Sequence, residues 1–325
     1  MFQKIVKSLA YILVSLLATT AGAKQYPTKA ITLIVPFAST GPSDTTARIL
    51  AQFMSFSLKQ KIVIENISGT GGTIGAARAA QSAPDGYTLF VHHIGHATAP
   101  AFYPELSYDP IKDFEPIGLI NDGAQTFVSR ADFPAKDFEE FVAYIKANKG
   151  KVSMANAGTG SASHLCGLLF QEAIQTEVAT VQFSGTGPAM RDLLSGRIDV
   201  MCDQTTNTTP HIKSGKIKAY AVTTPKRIGI LPDVPTADEA GLPNFEISVW
   251  HALYAPKGTP KPIIDQLTKA LQAALQNNIL KLRYADLGAE AVSQDRATPE
   301  ALRAHLQSEI DRWGPIIRKA GVYAN

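Results

Sequence analysis

Cysteine is nearly absent from this chain. Cys166 and Cys202 are the only two among 325 residues, too few for a disulfide framework. Charge is sparse as well: 18% of residues are charged, no run of one sign occurs, and the formal net charge is +3. No basic patch points to nucleic acid. The phosphate-loop pattern Gly-x-x-x-x-Gly-Lys-Ser/Thr occurs nowhere, nor does a His-Glu-x-x-His metal motif or a Gly-x-Ser-x-Gly nucleophile elbow. No segment is of low complexity. What is there is a chain with 45% hydrophobic residues, globular in composition and long enough for two domains of ordinary size.

Residues 1–23 stand apart. Lys4 and Lys7 supply a positive start, Ala10 to Leu17 ("AYILVSLL") an apolar core, and Ala21-Gly22-Ala23 a small-x-small cleavage site. This is the pattern of a secretory signal peptide cleaved after Ala23, and its apolar part is too short for a permanent bilayer span. No Cys follows it, which argues against a lipid anchor. Losing Lys4 and Lys7 lowers the net charge from +3 to +1, so the mature chain from Lys24 is near neutral. Export to an oxidising compartment permits a Cys166–Cys202 disulfide. Two buried thiols are the alternative, and spacing does not decide between them.

The remaining chain repeats one theme of apolar run, Gly-containing turn and helix. "AITLIVPF" leads through "ASTGPSD" into "TTARILAQFMSFS", and "KIVIEN" through "ISGTGGT" into "IGAARAAQSA". "KVSMANAG" leads into "SHLCGLLFQEA", and "ATVQFSG" through "TGP" into "AMRDLLSG". Continuous β-branched runs alternating with helix-period runs predict βα units on mostly parallel sheets flanked by helices, an α/β fold. Ser43 or Asp44 is the expected cap of the first helix and Ser161 of the third. "EPIGLINDGAQTFVS" and "FEISVWHALYAP" read as two crossover strands. Two crossings make one lobe from both ends of the chain, 24–121 plus 249–325, and a second lobe, 122–248, inserted between them. A hinge and a ligand-binding cleft follow from that arrangement.

Several chemistries fit such turns. "GTGGTIG", Gly69 to Gly75, resembles a dinucleotide fingerprint but lacks the third glycine in place, so a tight βα turn is the better reading. Ser161 and His164 lie three apart on one helix face, the starting point for a secreted hydrolase. His92, His93 and His96 are close in sequence, but neighbouring strand residues point in opposite directions and no carboxylate stands at ligand spacing, so a metal site is not expected. The reading that uses most residues is an anion cradle. Helix N-termini carry unpaired N–H groups and partial positive charge. Those behind "ASTGPSD" and "AGTGSAS" can face each other across a cleft, with hydroxyls from Ser39, Thr40, Ser43, Thr159 and Ser161.

At these residues the chain resembles the substrate-binding proteins of tripartite tricarboxylate transporters, the Bug family. The resemblance runs over nearly the whole mature chain. It includes "YPTKAITLIVPFA" with "SDTTAR", "VIENISGTGGTIGAARAAQSAPDGYTL", "ANAGTGSASHL", "GPAMRDLLSGRIDVM", "GKIKAYAVTTPKRIGILPDVPTADEAGLPNFE" and "WGPIIRKAGV". It implies a hinged, two-lobed periplasmic protein of Venus-flytrap architecture that closes on a small carboxylate and delivers it to integral-membrane permease subunits. It implies no enzyme activity, cofactor or metal. Carried over, the ligand contacts are Phe37, Ala38, Ser39, Thr40, Ser43 and Asp44 in the first lobe. In the second they are Asn156, Gly158, Thr159, Ser161 and His164. The far end of the ligand is expected to meet Asp203, Gln204 and His93. Phe37, His93, His164 and Phe183 suggest a flat pocket, hence a preference for an aromatic or dicarboxylic acid. An amino acid or citrate is the rival, the amino acid with Asp203 or Asp44 facing its ammonium. The chain is expected to be a monomer. Two turns depart from the family's usual Pro-Gly-Gly and Tyr-Lys-Gly: here they read Ser39-Thr40-Gly41 and Phe183-Ser184-Gly185.

Overall fold

The computed structural model describes residues 26–321; the expected signal peptide and its cleavage site lie outside the described residues. Among the described residues ten strands are joined in one sheet, eight on a continuous path and two, the eighth and tenth, paired to the side of the fourth. β1 (Ile31–Val35) is followed by α1 (Pro42–Leu58), β2 (Ile62–Asn66) by α2 (Thr73–Ala80), and β3 (Thr88–His93) by α3 (Gly95–Phe102). The long β4 (Phe114–Arg130) leads into α4 (Phe138–Ala147), β5 (Ser153–Asn156) and α5 (Ala162–Ile174). Next come β6 (Ala179–Gln182), α6 (Thr186–Leu194), β7 (Val200–Gln204), α7 (Thr205–Lys213) and β8 (Ile217–Val222). The chain returns through β9 (Ser248–Pro256) to α8 (Lys261–Gln276), α9 (Asn278–Ala285), β10 (Ala289–Ala291) and α10 (Pro299–Ala320).

The strand order β2-β1-β3-β9-β4-β7-β5-β6 explains the two lobes. β4 pairs with β9 from Phe114 to Ala124, then with β7 and β8 from Gln125 onward. One strand of 17 residues is therefore shared by both sheets. The βα repeats are parallel, as β1 with β2 and β3 and as β5 with β6 and β7. The ladders involving β4 and β9 are antiparallel, because both strands run through the hinge as crossovers rather than as steps of a βα repeat. Each lobe keeps a doubly wound order, 2-1-3 and 7-5-6. In such sheets a ligand crevice opens at the carboxyl ends of the strands where the order reverses.

Packing follows the sequence periodicity. Ile264, Leu267, Leu271 and Leu275 recur every three or four residues along α8 and are buried against the first lobe. In the second lobe Phe127 lies 4.8 Å from Phe170 and 5.4 Å from Phe138, ring centre to ring centre. The chain's only two tryptophans, Trp250 and Trp313, both donate to buried Glu309, at 2.9 and 3.1 Å, which ties α10 to β9. Cys166 on α5 and Cys202 on β7 form a buried disulfide with Cα atoms 6.1 Å apart, settling the choice the spacing left open. No helix among the described residues is long and apolar enough to cross a membrane.

Candidate functional site

Four strand-to-helix turns converge where the lobes meet. They follow β1, β5, β6 and β7, so α1, α5, α6 and α7 all begin beside one enclosed space. That cavity has a volume of about 20 Å³ with the jaws together and is lined by Phe37, Gly41, Pro42, Ser43, His93, Ala157, Ser161, Ala162, Ser163, Thr186, Asp203 and Gln204. The first-turn N–H groups of these helices have no carbonyl four residues back to bond, and their dipoles add positive character. An anion is the ligand such a cavity stabilises best.

The turn after β1 shows how the sequence builds one jaw. Gly41, not Ser43 or Asp44, is the N-cap of α1, and Pro42 fills the first helical position, where no N–H is needed. Ser43 then faces the cavity. Asp44 does not line it: its carboxylate accepts from Arg48 Nε at 2.8 Å, Thr40 N at 3.0 Å and Asn66 Nδ2 at 3.0 Å. Burial alone raises the Asp44 pKa, but these hydrogen bonds outweigh it and hold the carboxyl below its ordinary value. Ser39 and Thr40 are exposed on the rim. Thr40 has a φ of 71°, the left-handed region that favours glycine, which accounts for the family's usual residue there. Its hydroxyl abuts Gly187 of the opposite jaw, not the cavity. Thr40→Gly should therefore leave ligand affinity unchanged within about threefold by calorimetric titration, a difference under 1 kcal/mol.

The second jaw is organised by its own hydrogen bonds. Ser161 caps α5, accepting from His164 N at 3.2 Å. Ser163 Oγ accepts from Ala157 N at 3.0 Å and lies 3.2 Å from Ser161 Oγ, so one hydroxyl hydrogen of the pair remains to face the cavity. His164 turns away from Ser161. Its Nδ1 accepts from Gly160 N at 3.2 Å and its ring stands edge-on to Phe102, 5.2 Å away. Burial lowers its pKa to about 4. The side-chain pair that a Ser161–His164 hydrolase needs is not formed. Asn156 holds Gly158 N on its Oδ1 at 2.9 Å, and the Thr159 carbonyl accepts from Tyr103 Oη at 2.8 Å. Phe183 lies half-buried outside the cavity, its N–H bonded to the Asn156 carbonyl.

The jaws touch. Ala38 N donates to the Ser184 carbonyl at 2.9 Å, and Thr98 Oγ1 lies 3.2 Å from the Gly160 carbonyl oxygen. Gly71, in the turn before α2, presses against Thr159 so closely that a Cβ there would sit 1.7 Å from its carbonyl oxygen. This is a closed arrangement.

Of the residues expected from the sequence, the cavity brings together Phe37, Ser43, His93, Ser161, Asp203 and Gln204. Ala38, Ser39, Thr40, Gly158 and Thr159 lie at the contact between jaws, while Asp44, Asn156, His164 and Phe183 brace the turns behind it. Gly41, Pro42, Ala157, Ala162, Ser163 and Thr186 were not anticipated. Thr186 had a readable signal, since "GTGP" before "AMRDLL" marks another helix start beside another strand end.

Phe37 stacks on His93 with ring centres 4.7 Å apart, an apolar wall on one side. His93 Nδ1 accepts from Gly95 N at 2.8 Å, so the neutral ring carries its proton on Nε2. Burial and the neighbouring His251 hold His93 well below the ordinary imidazole pKa. Asp203 is buried with Asn207 Nδ2 2.6 Å from its Oδ2, and no cation pairs with it among the described residues. Desolvation pushes its pKa up to about 6, against the lowering pull of Asn207, Gln204 and Thr186. A larger open groove of about 640 Å³ runs along the hinge past Asp122, Thr224 and Lys226. Two of its charges are already committed, Asp122 to Arg296 and Arg227 to Glu239, and it collects no helix N-termini facing each other.

Residues 46–322 match the family model described as tripartite tricarboxylate transporter family receptor. The chain belongs to that family. A UPF0065 protein of Agrobacterium vitis is 50% identical over 91% of this chain and 86% of its own length. The solved periplasmic binding protein BugD superposes with a TM-score of 0.90 at 47% identity, covering 92% of this chain and all of that one. MatC from Rhodopseudomonas palustris, solved with bound malate, superposes at 0.87 and 42% identity, covering 90% of this chain and all of that one. The protein is a two-lobed solute-binding protein of the periplasmic type, related to the Bug proteins, and not an enzyme.

Proposed function

We propose that this protein captures a short dicarboxylic acid in the cavity between its lobes and hands it to membrane permease subunits as a periplasmic monomer. The lobes in this reading are 24–121 plus 249–325 and 122–248, with β4 and β9 as the hinge. The observation that carries it is the convergence of four helix starts on one cavity with no basic side chain in its lining. Backbone N–H groups and the free hydroxyl hydrogen of the Ser161–Ser163 pair satisfy a carboxylate without an Arg or Lys.

The size of the cavity bears on the choice of acid. At about 20 Å³ the space between the closed jaws is far below the roughly 300 to 1,000 Å³ of ligand pockets, so the lobes must part to seat any acid and a short one needs the least opening. The lining is polar apart from Phe37, Pro42 and small alanines. Both features favour a short aliphatic dicarboxylate over an aromatic acid, and MatC's bound malate is of that kind. A micromolar dissociation constant corresponds to about −8 kcal/mol, within reach of several charge-assisted hydrogen bonds.

Asp203 supplies the test. As an unpaired buried carboxylate it suits a donor on the ligand, a hydroxyl or an ammonium. Ligand affinity measured by calorimetry should then be flat from pH 8 to 7. It should weaken about tenfold per unit below the Asp203 pKa of about 6, as the proton displaces the donor. Asp203→Asn should remove that pH dependence and cost at least tenfold at neutral pH. Affinity that rises on acidification would mean instead that protonated Asp203 donates to the ligand's carboxylate.

A further inference from the structure

The cavity has a feature that a simple carboxylate cradle does not need. Ser43 Oγ lies 3.2 Å from His251 Nε2, His251 Nδ1 lies 3.0 Å from Asn121 Oδ1, and Asn121 Nδ2 lies 3.4 Å from Thr46 Oγ1. All four side chains are buried, none more than 3% exposed. Asn121 and His251 are direct partners across β4 and β9, the two strands that run through the hinge.

The direction of this chain of hydrogen bonds is set by its chemistry. Asn121 presents its carbonyl oxygen to the ring, so His251 Nδ1 carries the hydrogen and donates. A neutral imidazole has one N–H, which leaves Nε2 as an acceptor. Ser43 must therefore donate its only hydrogen to His251. What Ser43 turns to the cavity is lone pairs. Burial drives the His251 pKa down to about 3, so the ring stays neutral and the polarity does not reverse at any physiological pH.

We infer that Asn121 and His251 are positioning residues that hold Ser43 as a hydrogen-bond acceptor, so that the site selects carboxylates carrying a hydroxyl or ammonium over bare ones. This rests on the carboxylate reading above. A bare carboxylate has only acceptors and finds Ser43 unmatched; leaving a buried acceptor without a donor is what makes polar discrimination strong. A hydroxyl or ammonium beside the carboxylate supplies the missing hydrogen. Asp203, on the opposite lobe, is an acceptor of the same sense.

The test has two parts. Nitrogen-15 NMR of the histidine rings in the ligand-free protein should show His251 protonated on Nδ1 and bare on Nε2; the opposite tautomer overturns the inference whatever the ligand. Calorimetric titration with 2-hydroxysuccinate, 2-aminosuccinate and succinate should show at least one substituted acid binding tenfold or more tighter than succinate. Ser43→Ala and, separately, His251→Phe should cut that ratio below about threefold, by weakening the substituted acids and relieving the penalty on succinate. A merely structural role for His251 would weaken all three acids together and leave the ratio intact. Succinate binding as tightly as its substituted forms overturns the inference but leaves the carboxylate reading standing. Failure of every carboxylate to bind removes that reading instead.

Discussion

Gly71→Ala should lower ligand affinity by a hundredfold or more while leaving the fold intact. Gly71 has a φ of 60°, and a methyl group at its Cα would sit 1.7 Å from the Thr159 carbonyl oxygen and 2.8 Å from the Thr159 carbonyl carbon. Both of these atoms are backbone of the opposite lobe, so the clash is not relieved by a side chain swinging aside. The lobes must separate, and with them the helix starts that share the ligand. Apparent affinity scales with the fraction of molecules able to close, so a hundredfold loss needs only about 2.7 kcal/mol of obstruction. The turn that holds Gly71 lies at the surface of its own lobe, so the melting temperature of the ligand-free protein should change by only a few degrees. Calorimetric titration together with small-angle scattering would check this: the variant should stay extended in the presence of ligand, whereas the native protein compacts. A variant that still compacts and binds normally would mean that the contact between Gly71 and Thr159 is not part of the bound state.

Replacing both cysteines by alanine should lower stability by about 4 kcal/mol. The bridge closes a loop with a sequence separation of 36, and loop-closure entropy for a loop of that length gives roughly that figure. In a protein of this size each kcal/mol shifts the melting temperature by about 2–4 °C, so calorimetry should show a fall of roughly 10 °C. The effect should be confined to the second lobe, since α5 and β7 both belong to it. Reductant should lower the native protein's melting temperature by a similar amount and leave the alanine variant unmoved. Affinity is expected to suffer as well, because Cys202 immediately precedes Asp203 and shares its strand.

Much of this site was readable before any coordinates. The βα rhythm pointed to parallel βα units flanked by helices, and the two long apolar runs read as crossovers correspond to β4 and β9. Ser161 was legible as a cap because a β-branched strand, a glycine turn and an apolar helix bracket it. Asp44 shows where local reasoning was incomplete. Ser43 and Asp44 are adjacent in a helix, so their side chains diverge by about 100° and only one can face the cavity. Arg48 stands four residues after Asp44, a spacing that already offered the acid a partner on its own helix face. The disulfide, Thr186 and the Ser43–His251–Asn121 chain depend on contacts between segments far apart in sequence. His251 and Ser43 are separated by 208 residues, and no periodicity reports such a pairing. His92 and His93 do alternate as strand neighbours should. His93 reaches the cavity, while His92 accepts His93 N on its own Nδ1 at 2.8 Å and packs among aromatic rings.

The most direct measurement is a crystal structure of the mature protein with a short dicarboxylate. It should show one carboxylate group within hydrogen-bond distance of first-turn N–H groups of both α1 and α5, with Ser161 donating to it. A carboxylate found instead in the hinge groove beside Asp122 and Lys226, or touching one lobe alone, would contradict the clamp.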